Sequence, residues 1–216
     1  VDTNNPQLGY SIFDKPHKVM AVASYHTRPY AGGRLGTNIV LTYTGESGMR
    51  YCYTYNETAD FNNDTQKGNS LMYIPTSEEV PQMTWTTPGD AAKFENYILN
   101  NKYLSSHRGQ WSERYAGIAP FESHFDLHVG EDIYFNRQKG QKLQLFADFM
   151  NISNLFNREW GIYNSGTNNL RILSVTKITK DEKGNATPTY HYDPYTISMS
   201  DFSSRWRCQI GARITF

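Results

Sequence analysis

The sequence predicts an all-β fold: an antiparallel transmembrane β-barrel section of about eight strands, with short periplasmic turns and long extracellular loops. Three observations predict it. Residues 204–216 alternate without a break: Trp206, Cys208, Ile210, Ala212, Ile214 and Phe216 share one parity, Arg205, Arg207, Gln209, Gly211, Arg213 and Thr215 the other. Successive side chains of a strand point to opposite faces, so this segment has one apolar and one polar face, over about ten residues, the length that crosses a bilayer in a barrel wall. Further segments alternate in the same way, and the connections between them are short and long in turn.

Taken in order, Val19, Ala21, Ala23 and Tyr25 share a parity in 17–28, and Ile39, Leu41 and Tyr43 in 36–45. The turn Gly45-Glu46-Ser47-Gly48 then predicts a hairpin into Met49-Arg50-Tyr51-Cys52-Tyr53-Thr54-Tyr55. Farther on, Phe125, Leu127, Val129, Ile133 and Phe135 alternate with polar partners, and Glu131 on the apolar parity predicts an interfacial position or a bulge. A turn at 137–141 leads to Leu143, Leu145, Ala147 and Phe149; strands at 170–179 and 187–193 follow around a turn at 180–185. The turns at 45–48, 137–141 and 180–185 fall on one rim, the connections at 29–35, 57–121, 154–169 and 194–202 on the other. The longest, 57–121, exceeds what a structureless loop tolerates and is expected to fold locally. Within it, Asp90 is placed to cap a helix that carries Phe94, Tyr97 and Ile98 on one stripe.

Composition fits a barrel wall and equally an aromatic-rich binding sandwich: aromatics are 14%, with 16 Tyr, yet mean hydropathy is −0.66. Formal charge is zero, which argues against nucleic acid as a partner. No apolar run is long enough for a transmembrane helix, and no signal-peptide pattern is present. The opening Val1-Asp2-Thr3-Asn4-Asn5 reads as a turn, fitting a processed chain or an excised fragment. Cys52 and Cys208, the two cysteines, take opposite parities and are expected to be free thiols.

Beyond the alternation, a set of local motifs resembles the C-terminal barrel of TonB-dependent outer-membrane receptors, the branch with an N-terminal carboxypeptidase-regulatory-like domain. They are Asp14-Lys15-Pro16-His17, the Tyr-rich 45–55, Arg108-Gly109-Gln110-Trp111-Ser112-Glu113-Arg114, Asn151-Ile152-Ser153-Asn154-Leu155-Phe156-Asn157 with Trp160-Gly161, and Ser204-Arg205-Trp206. The resemblance covers essentially residues 1–216 as one barrel section. It departs at Tyr115 and Glu131, where the family usually has Asn and often Gln. It implies a bacterial outer-membrane location, outer-membrane lipid and the barrel-assembly machinery as partners, and import of an unknown ligand. TonB would be reached only through a plug domain absent from this chain. Gln209, Gly211, Ile214 and Phe216 would form the assembly signal.

Of the residues that might carry chemistry, His124, Asp126 and His128 share a face of one strand. Alternate residues stand about 7 Å apart, too far for one strand to chelate a metal, so lumen polarity is the expected role. Asp126, Asp132 and Asp148 are expected to form cross-strand pairs with Arg205, Arg207 and Arg213. No nucleophile motif, phosphate loop or CxxC occurs, so no enzyme, cofactor or metal is expected. Trp85, Arg108, Trp111, Glu113 and Arg114 are the ligand-contact candidates, because indole faces and guanidinium forks suit sugars and peptides. The reading that follows is part of an importer. A complete eight-stranded barrel serving as adhesin or anchor, and an aromatic-rich β-sandwich binding module, are the alternatives.

Overall fold

The computed structural model describes residues 8–56, 65, 67–165, 168–195 and 197–216; the opening Val1-Asp2-Thr3-Asn4-Asn5 lies outside them. The long strands are β1 (Lys18–His26), β2 (Leu35–Glu46), β3 (Arg50–Asn56), β4 (Glu122–Asn136), β5 (Gln141–Met150), β6 (Asn169–Lys180), β7 (Ala186–Tyr192) and β8 (Arg207–Thr215). The helices longer than one turn are α1 (Asp90–Asn100) and α2 (Lys102–Ser106). Each of the eight segments read as strands from the sequence contains a strand.

Their partners are not the predicted ones. The chain divides into two units: Val1–Asp14, Met49–Ala119 and Gly166–Ile197 in the first, Lys15–Gly48, Pro120–Ser165 and Ser198–Phe216 in the second. The second unit holds an antiparallel sheet ordered β1-β2-β4-β5-β8. In the first, a separate sheet runs Thr84–Trp85, β7, β6, β3, Gly117–Ile118. The 45–48 turn does not make a hairpin: β2 pairs with β1 and β4, while β3 pairs in parallel with β6 and antiparallel with Gly117–Ile118. β7 likewise pairs in parallel with Thr84–Trp85.

These pairings overturn the barrel. Only five of the eight predicted strands share a sheet; β1 and β8 each pair on one side among the described residues, so the sheet is open, and the other three join a sheet with parallel ladders. The fold is mixed α/β with two open sheets, neither an eight-stranded barrel nor a β-sandwich. The resemblance to TonB-dependent receptors falls with it. So do the importer and barrel-adhesin readings, the outer-membrane location, and the partnerships with outer-membrane lipid, the barrel-assembly machinery and TonB. Among the described residues no helix is long and apolar enough to cross a membrane.

The first unit is organised by a dry core. Phe94 and Ile98 of α1, Leu104 of α2, Ile172 and Leu173 of β6, with Met72 and Ile74, are fully buried. The predicted stripe on α1 is correct, and Tyr97 packs beside it. Asp90 is not the cap, however. Gly89 holds that place, and the buried Asp90 carboxylate accepts from the Tyr192 amide (3.2 Å) and meets His191 Nδ1 at 2.6 Å, tying α1 to β7. Burial alone would raise its pKa, but these donors outweigh burial and hold it below the usual carboxylate value.

In the second unit the registers place like with like. Ala23, Leu41, Leu127, Phe149 and Cys208 form one cross-strand row, and Tyr25, Ile39, Val129, Ala147 and Ile210 the next on the same face. The opposite face is laced by polar contacts. Asp132 is buried and accepts from Lys142 (2.8 Å), Asn38 (3.1 Å) and Gln144 (3.0 Å), and Asp148 meets His128 Nδ1 at 2.5 Å. These, rather than Arg205, Arg207 or Arg213, are the partners of the two aspartates; Arg205 pairs with Asp201. Glu131 needs no bulge: Tyr30 and Thr37 hydroxyls donate to its carboxylate at 2.6 Å each. Gly211 has a packing cause as well, since a Cβ there would lie 2.3 Å from the ring of Phe146 across the ladder.

Candidate functional site

A cleft of about 570 Å³ opens in the second unit where β4 begins and the 151–164 segment folds back. Phe121, Phe125 and Trp160 wall it, with Pro120 and Ile162 beside them; Ser123, Ser153, Glu159 and Asn164 supply polar groups. The parity of β4 sends Ser123 and Phe125 to the cleft side and Glu122 and His124 to the other.

The wall carrying Trp160 is held by amides. Asn151 is buried and left-handed (φ 52°), a conformation Asn tolerates better than most residues. Its side-chain amide donates to Gly161 O and Ser204 O, each 2.7 Å, while its Oδ1 accepts from Ser153 Oγ (3.0 Å). Its backbone N–H donates to Asp126 (2.8 Å). Gly161 is obligatory against it, because a Cβ there would fall 1.8 Å from Asn151 Oδ1. Asn154 then donates to Arg158 O and Trp160 O (3.1 and 3.0 Å), and the Asn164 backbone donates to the buried Glu122 (2.8 Å). The segment is therefore ordered before any ligand arrives, and Trp160 stays 56% exposed, Phe121 54%. Among the described residues the Glu159 carboxylate at the cleft has no hydrogen-bond or ion-pair partner.

Behind the cleft, on the opposite face of β4, the His124 ring stacks on Tyr163 with centroids 3.7 Å apart and planes 5° apart. Both ring nitrogens are buried, without a hydrogen-bond partner among the described residues. Desolvation pushes the imidazole pKa down against the opposing pull of Glu122, Asp126 and Glu46, so the ring favours its neutral form.

The sequence-predicted contact residues all lie in the first unit. Trp85 and Arg108 have interior duties. The Trp85 indole donates to Val80 O (3.0 Å) and tilts against Phe94 and Tyr190; Arg108 grips Glu95 (2.7 and 3.1 Å) and donates to Pro75 O. Trp111 is 63% exposed, its ring edge-on to Tyr73, with Glu113 and Arg114 exposed nearby in sequence. Gln209, Ile214 and Phe216 are exposed on or beside β8. Parity reasoning missed Phe121 and Trp160 as a site, although Trp160 stands in the motif noted at 151–161; the spacing of an aromatic, a glycine and several asparagines was the available signal.

What chemistry the structure allows can be bounded. His191, between Asp90 and Asp193, resembles a relay, but its Nε2 faces Asp193 (3.6 Å), and the hydroxyl of Ser174 donates to Asp193 instead. The His191 Nδ1 is held by Asp90 at 2.6 Å and also lies 3.4 Å from the Thr87 hydroxyl. Among the described residues no group of three or more His, Cys, Asp or Glu is placed to hold a metal ion. Both cysteines are free, as expected, Cys52 buried and Cys208 exposed; they belong to different sheets and not to opposite faces of one. Comparison with known protein families, curated proteins and solved structures finds no match to this chain.

Proposed function

We propose that this chain is a non-catalytic recognition module whose cleft takes a ring with an apolar face and a hydroxylated edge, the sugar unit of a glycan. The observation that carries the reading is the pair of half-exposed aromatics, Phe121 and Trp160, lining a cleft whose Trp160-bearing wall is tied down by buried Asn151. Preordered aromatic faces gain contact area at little entropic cost, and a few polar groups fix orientation. Glu159 offers acceptors for hydroxyl donors at the rim. Exposed Trp111 on Tyr73 favours a second contact surface for the same class in the first unit, with Glu113 and Arg114 beside it.

The test is calorimetric titration with a panel of short oligosaccharides, wild type against Trp160→Ala and Trp111→Ala. Loss of a stacking aromatic is expected to weaken binding at least about 10-fold, or about 1.4 kcal/mol. A panel without a binder, or a binder indifferent to Trp160, ends the proposal.

A further inference from the structure

Beside the cleft, two apolar rows cross all five strands on one face of the sheet, and none of their residues is buried. Ile210 is 82% exposed and Ile214 64%; even on interior strands Leu41 and Leu145 are exposed. Contiguous apolar patches of this extent mark interaction sites, whereas single exposed leucines do not.

We propose that the face docks a second copy of this chain, apolar face on apolar face, forming a two-sheet sandwich. Size supports that occupant. Five strands at about 4.8 Å spacing and about nine residues at 3.3 Å give a footprint of roughly 24 by 30 Å, or about 700 Å² per copy. A standard stable interface takes about 800 Å² per partner, so one identical face is a sufficient cover. Shape supports it too: a twisted sheet finds its complement in another of the same twist, packed about 10 Å away at about 30°. A two-fold axis needs one self-complementary patch, and a face of aliphatic rows meets that need. Glu131, the acid on this face, does not oppose docking. It lies in the row Thr37, Glu131, Leu145, Ala212, one row from the sheet end at Leu35 and Ile133, and its carboxylate already has Tyr30 and Thr37 as donors. Pairing through the β1 or β8 edge would leave the face bare, so edge contact is the weaker alternative.

The experiment is sedimentation equilibrium of the full chain, with Ile210→Lys and Leu145→Lys as variants. Ile210 projects into solvent in a single copy, so its replacement spares the fold while placing an ammonium in the docked interface. The expected result is a wild-type dimer at micromolar concentration and a dissociation constant raised at least about 100-fold in each variant. A nitroxide on Cys208, which is exposed on this face while Cys52 is buried, reports geometry directly. Sheets about 10 Å apart bring the two labels within roughly 15–35 Å, and dipolar coupling in that range is expected for wild type. A wild-type monomer, a dimer untouched by Ile210→Lys, labels showing no coupling, or a monomer that instead floats with phospholipid vesicles would each overturn the proposal.

Discussion

The two units solve the same problem with opposite materials. All the buried apolar side chains among the described residues belong to the first unit, around Phe94, Ile98, Leu104 and Ile172. Glycines apart, the buried residues of the second among those described are polar: Ser47, Glu122, His124, Asp132, Asn151, Ser153 and Ser204. One unit is held by burial of hydrocarbon, the other by ladder hydrogen bonds and a laced polar face. Hydrocarbon burial is non-directional and tolerates shape-conserving change; buried polar groups tolerate little, since each must keep its partner. The first unit should therefore fail through cavities, the second through orphaned hydrogen bonds.

The largest expected effect breaks the first half of that contrast. Phe94→Ala removes a fully buried ring in contact with Trp85 and Tyr192 and should cost about 3–5 kcal/mol by chemical denaturation. Amide exchange should quicken in β3 and β6, which share the core, while the β2–β4 ladder of the other sheet keeps its protection. Equal loss of protection in both sheets would show that the units do not differ as argued.

Next in size is Asn151→Ala. It strands the carbonyls of Gly161 and Ser204 and leaves an alanine at φ 52°, at a cost of about 2–4 kcal/mol. Because the same amide positions the wall bearing Trp160, ligand affinity at the cleft should fall with it. Asn151→Asp keeps an acceptor for Ser153 but no donor for the carbonyls, and should recover little. Full stability in Asn151→Ala would mean that the polar side of the second unit is decoration.

These residues also show what was legible in the sequence. Local sequence pattern located the long strands, although the parity of 170–179 is ambiguous, together with the 137–141 and 180–185 turns and the α1 stripe, because those features depend on neighbours a few positions away. Partner choice depends on residues a hundred positions apart, and apolar alternation fits any sheet equally well. The segment 49–55 therefore read as a hairpin with 36–45, although β3 in fact lies along β6. The indole of Trp85 read as a contact for the same reason: its composition suits recognition, and only the fold reveals Val80 O as its partner. Asn151 was visible as one of several asparagines, but the left-handed backbone that makes it structural was not.

The smallest effect sharpens the contrast most, because it concerns a polar group that has no partner. Among the described residues nothing bonds to either nitrogen of buried His124, which stacks on Tyr163, its pKa pushed below 6.5 by desolvation. The unfolded chain takes up the proton near pH 6.5 while the folded chain resists it. Stability from this residue is thus full above that pH and is lost as pH falls through the lowered folded value. Removing a polar group that already lacks a partner forfeits no hydrogen bond, so His124→Phe should change stability by less than about 1 kcal/mol at pH 8. It should also flatten the decline in melting temperature between about pH 7 and pH 5, leaving the residual slope to the carboxylates. Glu122, Asp126 and Glu46 pull the imidazole toward protonation and Lys15 pushes against it. A wild-type profile that rises on acidification would mean those carboxylates outweigh burial, and that the second unit's polar face is satisfied by charge as well as by hydrogen bonds.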